Sequence, residues 1–542
     1  MNRETESHFS YLPTIDIKRS SFKRPSTHKT TFNAGDLIPI YWDEILPGDT
    51  IKMKMASLTR MQTPLFPVMD NAYMDIYFFF VPNRIIWKHW KEFWGENNLT
   101  AWEQQTEYTI PQITAPASTG WTVGTIADYL GVPTGIENIS INHLPFRAYC
   151  KIWNDWFRDE NLKDPCMITD DETTVTGTNS GDYVTYAEAG GAPLKVAKFH
   201  DYFTSALKAP QKGPSVNIPL GNTAPIIGGE WENPITGVTT DTNLIDKNLG
   251  MYRTDNNAYT RLITDTSNHY ALDNNKSIAL FADLSNAIGA TINQLRQAFA
   301  VQAFYEAQAR GGSRYIEFVR NIFGVTSPDA RLQRPEYLGG TRVRINMDQV
   351  LQTSSTDATS PQGNTAAFSC TVETNDDMFT YSSTEHGILM GLACVRTDHT
   401  YQQGINRAFS RKKFTDYYIP QFANLGEQAI LNKEIYTQGT SKDEEVFGYQ
   451  EAWADYRYMP NRISGEMRST YSASLDYMHY GDDYNALPTL SSGWIDETEV
   501  NIDRTIAVTS STSNQFFSDF YFDPVYVRPM PVYSVPAMLN HF

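Results

Sequence analysis

Few residues in the chain stand at spacings that could support catalysis or bind a metal ion. The sequence has no G-x-S-x-G nucleophile elbow, no G-x-x-x-x-G-K phosphate loop, no H-E-x-x-H zinc motif and no G-x-G-x-x-G dinucleotide fingerprint. Gly481-Asp482-Asp483 is similar to the acidic turn of polymerases but lacks their other acidic motifs, so we interpret it as a solvent-facing turn. Asp398 and His399 would point to opposite faces of a strand, which disfavours a shared metal ion. We therefore predict no catalysis and no cofactor.

Two clusters of basic residues interleaved with aromatic residues could bind single-stranded DNA or another subunit. Guanidinium groups hold phosphates while bases stack on aromatic rings, but the same residue types are enriched in protein interfaces. We interpret the first cluster as a subunit interface, with the candidates Arg314, Tyr315, Arg331, Arg334 and Tyr337. We interpret the second cluster as DNA-facing, with the candidates Arg407, Arg411, Lys412 and Lys413.

Residues 1–30 have the composition of a basic N-terminal arm. Between residues 16 and 30 the chain carries five basic residues against one acidic residue, with few apolar positions. The DNA-facing candidates in this arm are Lys18, Arg19, Lys23 and Arg24. A merely solvated tail is an equal alternative to a role in contacting DNA or another subunit.

The overall composition favours a folded, acidic protein. Of the 542 residues 41% are apolar and 13% aromatic, and the net charge is −18, so any contact with DNA is limited to local basic patches. The cysteines match no zinc or redox motif, and we expect reduced thiols at Cys150, Cys166, Cys370 and Cys394. The N-terminus lacks an apolar signal segment, and the longest apolar run, Ile76 to Val81, is too short to cross a bilayer. We expect folding in a cytoplasm and no membrane insertion.

Apolar residues recur at strand spacing in six segments and at helical spacing in three. The predicted strands are Leu37 to Leu46, Ile51 to Met55, Ala72 to Val81, Arg342 to Leu351, Gly387 to Val395 and, more weakly, Val500 to Val508. In the fourth strand Val343, Ile345 and Met347 share one face. The predicted helices are one that Asn83 caps and that ends near Trp94, then Phe146 to Phe157 and Asn286 to Arg310, which Gly311-Gly312 stops.

Polar segments separate these elements. Gly221 to Ser285 is rich in Asn, Thr, Asp and Gly, which is typical of an exposed excursion, and Thr353 to Asp377 is a smaller polar loop. Four prolines in the last twenty residues predict an extended, irregular tail. Short strands with long polar loops and few helices favour a mainly β fold, either a β-barrel or a sandwich of the jelly-roll kind.

Four blocks of sequence resemble the major capsid proteins of gokushoviruses, the branch of the Microviridae with small icosahedral particles and single-stranded DNA. The blocks are RSSFKRPSTHKTTFNAGDLIPIYWDEILPGDT (19–50), HLPFRAYCKIWNDWFRDENL (143–162), ARGGSRYIEFVRNIFGVTSPDARLQRPEYLGG (309–340) and VFGYQEAWADYRYMPNRISGEMRST (446–470). They lie in the expected order and, with their connecting elements, span most of the chain.

The resemblance implies a mainly β fold with a single eight-stranded antiparallel jelly roll. It also implies that sixty such subunits form a shell with triangulation number one around a circular single-stranded DNA genome. It divides the chain into the arm (1–30), a jelly-roll body in two parts (31–221 and 286–542) and a surface insertion (222–285) that meets two copies of itself at a three-fold axis. Apolar candidates for that three-fold protrusion are Trp231, Leu244, Leu249, Tyr252, Tyr259 and Tyr270. The implied partners are packaged DNA, a small basic DNA-binding phage protein, the phage pilot protein and a host cell-surface receptor.

Two other classes of protein stay open. Abundant Trp and Tyr with an acidic pI would also suit a carbohydrate-active jelly-roll enzyme or binding module, although the missing signal peptide weighs against it. A phage tail or receptor-binding fibre is disfavoured because fibres usually contain repeats and this sequence shows none.

Overall fold

The computed structural model describes residues 18–96, 107–214, 216, 226–228, 250–253, 260–263, 280–282, 292–353, 362–363 and 365–533. The chain divides into two compact units, one of residues 1–210 with 311–542 and one of residues 211–310. Within the described ranges, no helix is both long enough and apolar enough to span a lipid bilayer.

Strands provide most of the regular structure. In chain order the strands are β1 Ser20–Lys23, β2 Ser26–Phe32, β3 Asp36–Ile45, β4 Thr50–Met61, β5 Ala72–Pro82, β6 Gln112–Thr114, β7 Ser140–Asn142, β8 Val175–Thr176, β9 Leu194–Lys195, β10 Ile226–Gly228, β11 Gly250–Arg253, β12 Thr260–Ile263, β13 Leu280–Ala282, β14 Glu336–Arg344, β15 Asn346–Leu351, β16 Thr365–Ser382, β17 Gly387–Thr397, β18 Glu427–Leu431, β19 Val446–Glu451, β20 Phe516–Phe522 and β21 Val525–Arg528.

The α-helices are mostly short. They are α1 Trp90–Phe93, α2 Ile126–Tyr129, α3 Leu144–Ile152, α4 Tyr183–Tyr186, α5 Ile292–Gly311, α6 Tyr315–Phe323, α7 Asn432–Ile435, α8 Ser492–Ile495 and α9 Val500–Asp503. A π-helical segment, Trp153–Phe157, continues α3, which confirms the helix predicted over Phe146 to Phe157.

The two largest sheets are antiparallel, and both lie in the larger unit. The first has the order β1-β21-β4-β16-β15, and β20 pairs with β2 and β4; the second has the order β14-β5-β17-β3-β9. Their longest strands run β2-β20-β4-β16 in one sheet and β3-β17-β5-β14 in the other, so consecutive strands mostly alternate between the sheets, as in a jelly roll. The predicted fold class is confirmed. Because both sheets contain additional short strands, the number eight stays a prediction.

Apolar side chains from both sheets meet in one core between them. Strand β4 contributes Ile51, Met53 and Met55, which alternate with exposed Lys52 and Lys54, so the predicted half-buried strand is confirmed. The strands predicted around β3, β5 and β17 are also confirmed. Their nearly continuous apolar runs reflect burial on both faces.

The two sheets differ in what lies on their outer faces. Behind β3, β5 and β17, a second core packs side chains such as Phe79 and Met390 against Phe146, Tyr149 and Trp153 of the α3 region. We call this the covered sheet. On the other sheet, which we call the open sheet, the outward side chains of β4, including Leu58 and Arg60, are exposed.

Four local predictions were wrong in part or whole. Residues 342–351 form two strands in different sheets, although Val343, Ile345 and Met347 do contact one core as predicted. Residues 83–94 form a 3₁₀ turn, Asn83–Ile85, and the separate helix α1, without a side-chain cap from Asn83. Residues 365–377 of the predicted polar loop are part of β16, because pairing with β4 and β15 supplies the backbone partners that composition cannot reveal.

The fourth error is the strand predicted over Val500 to Val508, which begins as helix α9. Asn501, Ile502, Thr505 and Ile506 are all buried, and this spacing of three and four residues is helical. The predicted helix before Gly311-Gly312 is confirmed from Ile292 to Gly311; its residues 286–291 lie outside the described part of the chain.

Segments near both ends of the described chain belong to the open sheet. β1 pairs with β21, and β2 pairs with β20, so residues 20–23 and 26–32 of the basic N-terminal region are strands. Residues 525–528 of the proline-rich tail pair with β1 and β4. Residues 1–17 and 534–542 lie outside the described ranges.

Candidate nucleic-acid and subunit interfaces

The N-terminal DNA-facing candidates differ in how much of their charge is accessible. Lys18 and Lys23 have exposed side chains. Arg19 donates to Gly48 O, to Thr50 Oγ1 at 3.0 Å and to Val527 O at 3.3 Å, which joins the chain start to β4 and β21. Arg24 forms an ion pair with Asp43, and its guanidinium carbon lies 5.1 Å from the Tyr526 ring centroid. Arg19 and Arg24 therefore stabilise the sheet whatever else they contact.

The second group of candidates divides in the same way. Arg407 donates to Ala429 O at 3.0 Å and to Glu434 Oε1 at 3.2 Å. Arg411 forms an ion pair with Asp455, and its guanidinium carbon lies 4.3 Å from the Tyr456 ring centroid. Both charges are thus neutralised within the subunit.

Lys412 and Lys413 project differently from Arg407 and Arg411. Their backbone N–H groups each donate to Asp416 Oδ2 at 2.8 Å, while both side chains are exposed. The hydrogen bonds fix the turn, so the two ammonium groups leave it into solvent. Of the four residues in this cluster, these two keep charges available to a partner.

Among the subunit-interface candidates, Arg314 has internal partners. It donates to Asn154 O and Arg158 O at 3.0 Å each and to Glu317 Oε1 at 3.0 Å, which ties the start of α6 to the end of the α3 region. The neighbouring Tyr315 is 67% exposed, and it is free to contact another molecule.

The remaining interface candidates lie at the edge of the covered sheet. Arg334 stacks on Trp156, with the guanidinium carbon 3.6 Å from the ring centroid. Tyr337 packs against the rings of Phe79 and Trp156 yet stays half-exposed, and Arg331 is exposed. Arg334 therefore acts inside the subunit, while Arg331 and Tyr337 leave side-chain surface exposed.

The protrusion candidates cannot be placed by the structure. Trp231, Leu244, Leu249, Tyr259 and Tyr270 lie outside the described residues, and Tyr252 is described only as a backbone position in β11. β11 pairs with β12 and β10 with β13, all within the unit of residues 211–310.

A buried ionic cluster was missed by sequence reasoning. His399 Nδ1 lies 2.9 Å from Asp482 Oδ2, and its Nε2 lies 2.9 Å from Glu497 Oε2. Asn501 Nδ2 donates to Asp482 Oδ1 at 3.0 Å, and Thr397 Oγ1 donates to Glu497 Oε1 at 3.0 Å. The solvent-facing turn predicted at Gly481-Asp482-Asp483 is therefore wrong for Asp482, which is buried.

The electrostatics of this cluster identify its role. Burial alone would lower the pKa of His399, but Asp482 and Glu497 outweigh burial and raise it to about 10. Burial would raise the pKa of Asp482, but His399 outweighs it and holds that pKa well below its usual range. Carboxylates engage both ring nitrogens of His399, so the cluster acts as a structural clamp. Among the described residues, no group of three or more His, Cys, Asp or Glu side chains is arranged to hold a metal ion.

The cysteines are placed as inert thiols where their side chains are described. Cys150, Cys166 and Cys394 are free and buried. Burial raises the pKa of Cys394 to about 12, which keeps this sulfur protonated and unreactive. The side chain of Cys370 lies outside the described part of the chain.

Comparison with known proteins identifies a family for the whole chain. The family model described as capsid protein (F protein) matches residues 10–538. Capsid protein VP1 of Bdellovibrio phage phiMH2K is 42% identical over 549 residues, covering 100% of this chain and 99% of that protein. Capsid protein VP1 of Spiroplasma virus 4 is 43% identical over 547 residues, covering 98% of this chain and 97% of that protein. Capsid protein VP1 of Chlamydia phage 1 is 37% identical over 595 residues, covering 98% of each.

These matches confirm the resemblance carried by the four sequence blocks. They extend it through the jelly-roll strands and the loops between them, and they make the protein a structural component of a virion. With the sandwich fold and the full-length similarity together, the chain belongs to the capsid protein (F protein) family, in the gokushovirus branch of the Microviridae.

Proposed function

We propose that sixty copies of this chain close a T=1 icosahedral shell around a circular single-stranded DNA genome, and that the chain has no catalytic role. The observation that carries the proposal is the family match over residues 10–538. The isolated subunit also exposes large apolar side chains, including Phe409 at 84% and Phe414 at 74%. Surfaces of this kind favour contact with further copies, because leaving them in water is unfavourable.

The proposed partners follow from the charge of the chain and from its family. A net charge of −18 cannot neutralise a genome, so a small basic phage protein supplies further positive charge. The phage pilot protein and a host receptor are partners that the family resemblance implies. The eight basic candidates named above stay part of this proposal. Lys18, Lys23, Lys412 and Lys413 are the ones whose exposed side chains suit contact with DNA, while exposed Tyr315 and Arg331 suit contact with another subunit.

Residues 222–285 form, in this proposal, the outward protrusion that recognises the host. The segment has the polar composition of a surface excursion and falls within the separate unit of residues 211–310. Its six apolar candidates are too few for a core in one copy, but three copies meeting at an axis could bury them together. Its acidic excess suits a position away from packaged phosphates.

Assembly is tested by expressing the full chain and measuring the mass and symmetry of its particles. The expected mass is about 3.7 MDa, sixty times the subunit mass of 61.5 kDa, with icosahedral symmetry in electron micrographs. A stable, folded monomer that never forms closed particles at physiological concentration would contradict the proposal.

The attachment role is tested by replacing residues 222–284 with a short Gly-Ser linker. The barrel should still fold, because each doubling of loop length changes the closure free energy by only about 0.6 kcal/mol. Particles that assemble should lose adsorption to host cells. As a control, exchanging only the exposed Lys412 and Lys413 for Ser should leave adsorption unchanged. Normal adsorption by the deletion particles would remove the attachment role and leave the shell function intact.

A further inference from the structure

Positive charge is concentrated on the outward side of the open sheet, in the half formed by β1, β2, β4, β20 and β21. By register, Lys23 of β1, Lys29 of β2 and three residues of β4, Lys52, Lys54 and Arg60, all project from this side. All five side chains are exposed. None of the last three belongs to the basic clusters visible in the sequence, since they are dispersed along one strand. We call the outward side of β1, β2, β4, β20 and β21 the open sheet face.

Acidic residues hold these cations only loosely. Asp377 Oδ1 and Oδ2 lie 3.4 Å from Lys54 Nζ and 3.8 Å from Lys52 Nζ, and Asp519 lies 3.2 Å from Lys29 Nζ. Every side chain in these contacts is more than 40% exposed, so water and salt screen the attraction. Within the described ranges Arg60 has no ion-pair partner. The charges can therefore be shared with an external anion.

Aromatic rings stand between the cations. Phe517 is directly opposite Arg60 in the β20–β4 ladder, and Tyr521 is opposite Ala56, one outward position along from Lys54. Phe517 is 38% and Tyr521 45% exposed. A cavity of about 620 Å³ opens at the Phe517 end of the face, and its lining includes Lys29, Arg60 and Phe517 together with the carboxylates of Asp128 and Asp519. Its volume is within the range of pockets that hold small organic groups.

We propose that the open sheet face binds single-stranded DNA: the five cations contact phosphates, and bases stack on Phe517 and Tyr521. Binding is independent of base sequence, because every base offers a π-face. Four of the five cations are lysines, which are depleted at the centres of subunit interfaces, so DNA suits the face better than a second copy of the chain. The inference rests on the proposed shell function and assigns this face to the interior of the particle.

The first test changes three cations in assembling, full-length protein. Lys52→Glu, Lys54→Glu and Arg60→Glu are combined, and particle number and DNA per particle are measured separately. We expect particle yield within about twofold of wild type and a DNA content lowered roughly tenfold or more. The matched control combines Lys91→Glu, Lys208→Glu and Lys442→Glu, three exposed lysines outside this face, with the same charge change. Full DNA content in the first variant would overturn the proposal.

The second test removes the dependence on assembly. Full-length subunits are titrated with a fluorescent oligothymidylate at several salt concentrations, using the neutral variant Lys52→Gln with Lys54→Gln and Arg60→Gln. Losing three phosphate contacts should reduce the slope of log K on log salt by about two, whereas Tyr521→Ser should weaken binding roughly tenfold with the slope unchanged. An unchanged slope contradicts the proposal.

The two measurements separate this inference from the shell function. If the neutral variant loses assembly yet keeps the wild-type salt slope, the face contacts another subunit and the DNA proposal is wrong. If wild-type protein forms no particles at all, the shell function fails, while the titration still decides whether this face binds DNA.

Discussion

The covered sheet and the open sheet are both antiparallel, but the charged residues on their outer faces differ in burial and pairing. Asp75 on the outer side of β5 is 1% exposed, and it accepts from Arg342 Nε at 2.6 Å and Arg396 Nε at 3.1 Å. Asp377 on the outer side of the open sheet is exposed and meets only lysines beyond 3.3 Å. Burial requires an ion to be paired, while exposure leaves it free for a partner. The paired, buried charges of the covered sheet therefore make it rigid, whereas the exposed charges of the open sheet are available to a binding partner.

The largest expected effect on stability comes from placing a lysine on the outer face of each sheet in turn. Met390→Lys places an ammonium group in the core behind the covered sheet, where Met390 is fully buried, and should cost about 5 kcal/mol or more. Leu58→Lys on the open sheet should change stability by no more than about 0.5 kcal/mol. Urea unfolding at fixed protein concentration, followed by tryptophan fluorescence, measures both. Equal costs would show that the open sheet is buried in the assembled state or that the covered sheet is not.

The second largest effect on stability is expected when the acidic residue on the outer face of each sheet is replaced by alanine. Asp75→Ala leaves two guanidinium groups without their carboxylate and should cost about 3–5 kcal/mol. Asp377→Ala releases two screened lysines and should cost about 0.5 kcal/mol or less. The same urea titration applies. A small effect at Asp75 would mean that Tyr77 and water replace the lost partner.

A pH titration tests the structural clamp formed by His399, Asp482 and Glu497, in which His399 lies just after the end of β17. The pKa of His399 is raised to about 10 in the folded state from its usual 6.5, so its contribution is complete below pH 6.5 and is lost as the pH rises towards 10. The lowered pKa of Asp482 acts in the other direction, and its contribution is lost as the pH falls below its usual value near 3.8.

The alkaline loss should be about 1.5–3 kcal/mol, the scale of hydrogen bonds to charged groups. Unfolding free energies between pH 6.5 and 10 measure it, and His399→Gln should flatten the dependence in that window. The same slope in wild type and His399→Gln would assign the alkaline loss to other groups.

The smallest effect is expected on the open sheet. Lys29→Ala removes an exposed ion pair with Asp519 and should change the unfolding free energy by less than about 0.5 kcal/mol. If the open sheet face binds DNA, the same variant should still weaken oligothymidylate binding at low salt. A variant that loses stability but binds DNA normally would reverse the roles assigned to the two sheets.

The sequence by itself determined the family and the elements whose signals are local. The alternation in β4 and the apolar runs in β5 and β17 are visible within about ten residues, because strand burial repeats every second residue. The spacing of aromatic residues in the α3 region is equally local. The four blocks carried the family resemblance, and the family matches confirm it.

Only the tertiary structure decided which polar and charged residues find partners. Polar residues 365–377 become a strand because β4, which is distant in the chain, and the preceding strand β15 offer their hydrogen-bonding edges. His399 and Asp482 are separated by 83 positions in the sequence, and Arg19 and Val527 by 508 positions. No local sequence pattern could therefore predict either contact. The ion pairs of Arg407 with Glu434 and of Arg411 with Asp455 also form only when folding brings these side chains together. Pairing of charges and strand edges depends on distance in space, and local sequence does not contain that distance.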